Sequence, residues 1–375
     1  MSSFLDALRQ QYEKRKELRI CIIGAGIHGM TTGIELAKSG YNVTILDKNK
    51  EIFGGTSGAT HNRAHLGYHY PRSIETAKEC IKGLENFRSK YPEAIVEDFQ
   101  SYYMIEKSGN ISLKEYEFFC NELGIPFRLE WPSENFLNRD LIEGGIVTAE
   151  PVFDVSKLKK LLLEKIEELD IELILDAEII EFKELPDKTY SLLNNKNGSV
   201  PLSTDVIINA TYAYYNNVLK ILDLEEDFKK YKIQYTEIIV VESPEDLSSI
   251  TIMDGPFVSI MKYAGTDNQY LLYDVKNSTL YQEENYFVEY KDLESNFDKI
   301  IEHFRKYFPF VDDLKYVESW RGYRPIPLEI TDDARNTTIK QHEKYPGIFS
   351  ILEGKFISST LIAEEICNLV KRNHD

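Results

Sequence analysis

The sharpest apolar signal in the chain is short. Arg19-Ile20-Cys21-Ile22-Ile23 is apolar and β-branched and stops at Gly24, the pattern of a parallel strand covered on both faces. From Ile27 to about Lys38 the apolar residues Ile27, Met30, Ile34 and Ala37 recur at helical spacing, Gly40 ends the run, and residues 41–46 read as a second buried strand. The same helical period returns over 73–91, 113–123, 156–169 with Ser156 as its expected cap, 293–307 and 359–369. Strands are expected over 171–182, 205–211, 237–242, 256–263, 270–275, 285–290 and 347–352, a further strand within 144–155 ahead of the 156–169 helix, and a hairpin turn at 194–198. Residues 1–18 carry Phe4, Leu5 and Leu8 beside Arg9, Lys14, Arg15 and Lys16, a basic leader with amphipathic spacing.

Between the first strand and the first helix lies Gly24-Ala25-Gly26-Ile27-His28-Gly29, a G-x-G-x-x-G. Gly24 turns the chain off the strand, Gly26 lets backbone approach a pyrophosphate, and Gly29 lets the helix pack on the sheet. The helix then points its N-terminal amides, at Ile27 and His28, toward the phosphates. The second strand delivers Asp47, followed by Lys48, where an acid accepts hydrogen bonds from a ribose. This unit binds a dinucleotide, and by itself leaves NAD and FAD both open.

Further chemistry lies in four separated stretches. Residues 53–60 include Gly55, Thr56 and Ser57, a loop whose backbone can meet a ligand. Residues 61–72 hold three of the chain's seven histidines, His61, His65 and His69, among Arg63, Arg72, Tyr68 and Tyr70; so many ionisable groups beside a phosphate site point to chemistry, and few carboxylates and no cysteine speak against a metal. The strand at 205–211 ends in small residues, Ala210 and Thr211. Ser319-Trp320-Arg321-Gly322-Tyr323-Arg324-Pro325 places two guanidiniums three residues apart, suited to a carboxylate or phosphate.

Composition narrows the class. A chain of 375 residues, 42% hydrophobic, has room for about two domains. A net charge of −18 argues against nucleic acid or an anionic membrane surface as partner. Four cysteines without metal spacing fit a reducing cytoplasm, and no apolar run reaches membrane-span length.

In these stretches the chain resembles the FAD-dependent oxidoreductases of the D-amino-acid oxidase superfamily, with glycine oxidase, 2-hydroxyglutarate dehydrogenase and glycerol-3-phosphate dehydrogenase as relatives. His65-Leu66-Gly67-Tyr68-His69-Tyr70 is similar to the hydroxyglutarate branch, and 205–211 to the V-x-N-A-T/A-G signature, with Tyr212 where glycine is usual. Glu353-Gly354-Lys355-Phe356 looks like the G-G-K turn of the glycerol-3-phosphate enzymes, with Glu353 replacing the first glycine. The resemblance implies FAD as cofactor, Thr56 and Ser57 on its phosphates and ribitol, Arg63 and His65 near the isoalloxazine, Gly354, Lys355 and Phe356 at the flavin, and Arg324 in the G-x-R-P position that anchors an anionic substrate.

The expectation is therefore an α/β protein: a Rossmann-like FAD-binding domain of the glutathione-reductase type (1–94, 145–220 and 320–375) and an α+β substrate domain on a mostly antiparallel sheet (95–144 and 221–319). The expected reaction is hydride transfer from a C–N or C–O carbon of a small anionic amino acid or hydroxy acid to flavin, with Arg324 and Arg321 holding substrate and His65 or His69 taking a hydroxyl proton. A larger metabolite such as a sugar derivative, or a flavin-binding protein without turnover, are the alternatives. The electron acceptor is left open.

Overall fold

In a computed structural model, which describes residues 13–196, 200–328 and 337–374, the first apolar run is the strand Arg19–Ile23 inside a parallel sheet. Val206–Asn209 and Asn42–Leu46 flank it. Ile348–Leu352 and Glu172–Ile174 extend the sheet in parallel, and Thr338–Gln341 adds an antiparallel edge. Strand alternation splits the run between two cores. Ile20 and Ile22 pack with the apolar stripes of helices Ile27–Lys38 and Ser359–His374, which also contact each other. Cys21 and Ile23 face the opposite side, against helix Tyr215–Ile221 and a small antiparallel sheet of Ile179–Glu184, Tyr190–Asn194 and Leu202–Thr204. A strand covered on both faces has no use for polar positions, which is why this one reads as a continuous apolar run.

The second layer is a large sheet of Ser101–Glu106, Phe127–Leu129, Ile142–Thr148, Tyr231–Glu242, Ser249–Met253, Val258–Lys262, Gln269–Asp274, Thr279–Asn285 and Lys315–Pro327. Its pairings are antiparallel except that between Ser101–Glu106 and Ser249–Met253. Tyr102, Met104, Ile250 and Ile252 pack under helix Phe297–Phe304, whereas Tyr103 and Ile105, on the other face, join the core of the first layer. One face is thus covered by its own helix and the other turned to the dinucleotide-binding unit.

Several sequence expectations are corrected. Ile142–Thr148 pairs with Ser101–Glu106 in the large sheet and not with the parallel sheet. Ser249–Met253 was not expected, because its alternate residues Ser249 and Thr251 are polar yet buried. The strand expected over 285–290 lies earlier, at Thr279–Asn285, and the 293–307 helix is confined to Phe297–Phe304. The stretch that carries Arg321 and Arg324 is part of the long strand Lys315–Pro327, which was not among the expected strands; it pairs with Tyr231–Glu242 alone and so tolerates proline as an edge strand does. Asp154, not Ser156, caps the helix Val155–Glu168: its carboxylate accepts the Lys157 amide N–H at 2.9 Å. The turn at 194–198 and the leader at 1–18 both lie partly outside the described residues; of the leader, 13–17 are helical. No helix among the described residues is long and apolar enough to cross a membrane.

Candidate active site

The carboxyl ends of the parallel strands open onto a cavity of about 830 Å³ whose far wall is the large sheet. Every candidate residue from the sequence lines it except Gly29. Gly29 acts behind the wall: a Cβ there would lie 1.8 Å from the Gly24 carbonyl oxygen, so only glycine lets the helix sit this close to the turn. Gly24 has φ +111° and a Cβ would meet Ala210 O at 2.8 Å.

At the glycine end, Asp47 accepts the Ala25 N–H at 2.6 Å on one oxygen, and the Asn49 N–H and side-chain amide, both at 2.8 Å, on the other. A carboxylate has about four acceptor positions, so Asp47 braces the loop and keeps capacity for another donor. Ser57 Oγ accepts the Ile27 N–H at 3.0 Å and so docks the 53–60 loop on the helix's first turn, while Thr56 ties the same loop to the Tyr323 carbonyl at 3.0 Å. Lys48 lies 3.3 Å from the centre of the Tyr214 ring, a cation–π contact. Burial lowers its pKa, opposed by the nearby Glu178. His28 is buried, which pushes its pKa down to about 4 and keeps it neutral, and its Nε2 has no hydrogen-bond partner among the described residues.

The histidine stretch is organised by a residue that carries no sequence signal. Glu150 is fully buried and takes Arg63 Nη1 at 3.3 Å, the Leu66 N–H at 3.1 Å and the Tyr103 hydroxyl. His65 Nδ1 lies 3.7 Å from the same carboxylate. Burial pushes the Glu150 carboxyl up, but His65, Arg63 and Tyr103 outweigh it and hold it below its ordinary value. Arg63 also donates to Thr251 Oγ1 at 2.8 Å, so it is buried in a network joining the two layers. His65 and His69 stand with ring centres 5.4 Å apart; His69 is exposed. His61 is held near pKa 3 by burial and the Arg63 charge.

Arg324 and Arg321 separate. Three residues apart on a strand, they point to opposite faces. Arg324 Nη1 donates to the Tyr273 hydroxyl at 2.7 Å, and no carboxylate among the described residues lies within ion-pair distance. Arg321 goes with Tyr235, whose ring stacks on Tyr323 at 4.5 Å.

The two departures from the expected signatures have local explanations. Tyr212, in the glycine position, adopts φ +50°, the left-handed conformation for which glycine is favoured. Glu353 accepts the Lys355 N–H at 2.6 Å and a hydrogen bond from Thr337, bracing the turn from within. Lys355 lines the cavity, but its ammonium is bound to Glu79 at 2.9 Å, so its charge is paired.

The family model described as FAD dependent oxidoreductase (DAO) matches residues 19–369. The chain belongs to this family of FAD-dependent oxidoreductases. The FAD-dependent monooxygenase kojA of Aspergillus flavus is 25% identical over 94% of this chain and 86% of its own length. Among solved structures, glycine oxidase from Geobacillus kaustophilus superposes with a TM-score of 0.74 at 16% identity, covering 95% of each chain. L-α-glycerophosphate oxidase from Mycoplasma pneumoniae does so at 0.71 and 18%, covering 94% of each. The cofactor of this flavoenzyme is FAD, and the cavity suits it. Its volume lies within the roughly 300–1,000 Å³ of ligand pockets, and it is walled at one end by helix amides, an acid with spare acceptor capacity and the buried, unpartnered Nε2 of His28.

Proposed function

We propose that this flavoenzyme oxidises a small anionic amino acid or hydroxy acid at the carbon bearing nitrogen or oxygen. The observation that carries the reading is Arg324: a guanidinium on the cavity wall, steadied by the Tyr273 hydroxyl, with no acid among the described residues to neutralise it. In a chain with 62 acidic and 44 basic residues, a cation left without an acid in a cavity is suited to an incoming anion.

Bound FAD supplies the two-electron acceptor for the substrate's hydride. Arg324 holds the substrate carboxylate and fixes which carbon is presented. Glu150 faces His65 Nδ1 at 3.7 Å and steadies the imidazole, and His65 or His69 takes the proton of a substrate hydroxyl; an amine arriving deprotonated needs no such base. The proposed division of labour puts the cofactor on the parallel sheet and the substrate under the large sheet. By strand pairing, Ile142–Thr148 and Lys315–Pro327 go with the substrate side, which moves the expected boundaries from 144 to about 149 and from 320 to about 328.

Oxygen transfer is a second reading, supported by the name of the Aspergillus flavus relative. Steady-state kinetics with small carboxylates test the anchor. Arg324→Ala is expected to raise KM for an anionic substrate by roughly 100-fold, the loss of a charge-assisted bidentate contact. An unchanged KM removes the anchor.

A further inference from the structure

One ion pair reaches across the cavity from one layer to the other. Arg72 Nε donates to Asp254 Oδ2 at 2.6 Å, and both residues line the cavity. Arg72 sits in the turn between Tyr70 and Ser73, just before the helix Ile74–Lys90, which packs on Ser359–His374 beside the parallel sheet. Asp254 follows the large-sheet strand Ser249–Met253, and its carbonyl accepts the Asn110 N–H at 2.8 Å. Strand pairing places the pair relative to the anchor. Thr251, Ser259 and Tyr273 stand side by side on three neighbouring strands, of which the first and third run in the same direction. Asp254 and Val275 both lie beyond this row on the same side of it, Asp254 by roughly 10 Å. Tyr273 holds Arg324, so the pair stands farther along the sheet than the anchor. Exposure shows that this direction leads outward: His69 and Val275 line the cavity and are exposed, and the side chain of Arg72 is 49% exposed against 14% for Asp254. With the glycine end committed to the cofactor, this end is the way in for a substrate.

We propose that Arg72 and Asp254 form the substrate door, opened when an incoming carboxylate replaces Asp254 on Arg72, so that Arg72 selects anions on entry as Arg324 does on binding. A half-exposed ion pair is weakly held and opens readily. A guanidinium takes either carboxylate in the same geometry. Opening needs only the Arg72 side chain to swing on its turn, because Asp254 is fixed by its strand and by Asn110. The inference rests on the reading of the substrate as a small anion.

The test uses holoenzyme and two readouts. Acrylamide quenching of flavin fluorescence reports how open the mouth is, whatever the substrate; stopped-flow rates of acetate binding are followed in the flavin's visible band. Asp254→Asn and Arg72→Gln both break the pair, and each is expected to raise acrylamide quenching several-fold. Asp254→Asn removes the competing carboxylate and is expected to speed acetate association and dissociation alike by about fivefold, the worth of a half-exposed ion pair. Its acetate dissociation constant is expected to stay unchanged, because the pair lies outside the bound ligand. Arg72→Gln is expected to gain no association rate, having lost the receiving cation. Quenching unchanged in both variants overturns the door. Equal acetate gains in the two variants overturn the selecting role of Arg72. A changed acetate constant in Asp254→Asn puts Asp254 in the binding site and overturns the proposal again. Should Asp254→Asn not fold, Asp254→Ser is read in its place. Acetate that fails to bind the parent counts against the Arg324 reading alone, and quenching then decides the door.

Discussion

His28 and His61 show how far a fold can move a single residue. His28 is buried, His61 is half-buried and also faces the Arg63 charge, and their pKa values fall to about 4 and about 3 from an ordinary 6.5. In the unfolded chain they take up protons near pH 6.5, while in the folded protein they resist until the pH is far lower. Stability is complete above about pH 6.5 and declines as the pH falls from there toward 4, because the unfolded state binds more protons in that window. Each tenfold change in proton affinity is worth about 1.4 kcal/mol, so the loss is on the order of a few kcal/mol. Urea unfolding midpoints at pH 7 and pH 5 check this: the midpoint drops with acid, and His28→Asn flattens the drop. A pH-independent midpoint in the parent contradicts it. At the same scale the sequence showed the nucleotide residues but not their supports. Gly24, Asp47 and Ser57 were legible because a turn, a ribose and a phosphate each demand a particular residue type at a particular spacing. Glu150 was not, since it precedes Pro151 in an unremarkable loop and meets Leu66 across 84 residues of chain. Tyr273 was hidden because it meets Arg324 across 51 residues of chain.

Among elements, those whose period is enforced by two-sided burial or by a helical stripe were read well. The segments 113–123 and 27–38 coincide with the helices Leu113–Leu123 and Ile27–Lys38. Elements that depend on a partner were misread. Lys315–Pro327 contains glycine and proline and is a strand because Tyr231–Glu242 pairs with it over its length; that pairing, invisible in the spacing, decides that Arg321 and Arg324 leave the strand on opposite faces. Ser249–Met253 hides its buried polar residues in the same way, with Thr251 accepting from Arg63. Two predictions belong here. Gly29→Ala forces the Ile27–Lys38 helix off the Gly24 turn, and the protein is expected to purify without flavin colour; a normally coloured variant contradicts the packing role. Asp154→Ala removes the cap of Val155–Glu168 and is expected to cost about 1 kcal/mol, read as a shift in urea midpoint with FAD content unchanged.

For the whole molecule, two layers with different demands meet at one cavity. The parallel layer offers strand ends, helix amides and Asp47 to a dinucleotide, and the antiparallel layer offers a broad wall from which Arg324 and Tyr273 face the same space as the Glu150-braced His65 of the 61–72 stretch. An overall charge of −18 leaves an unneutralised guanidinium conspicuous. The FAD fold was legible from the glycine turn and the C-terminal strand and helix; the reaction was less so, because the substrate wall is assembled from strands without a signature. The most direct measurement is an anaerobic titration of the holoenzyme with small amino acids and hydroxy acids, watching the flavin's visible band. The account predicts that a carboxylate of this class bleaches the band with no other reductant present. A band that stays oxidised with all of them and bleaches only with a reduced nicotinamide nucleotide contradicts it and favours oxygen transfer.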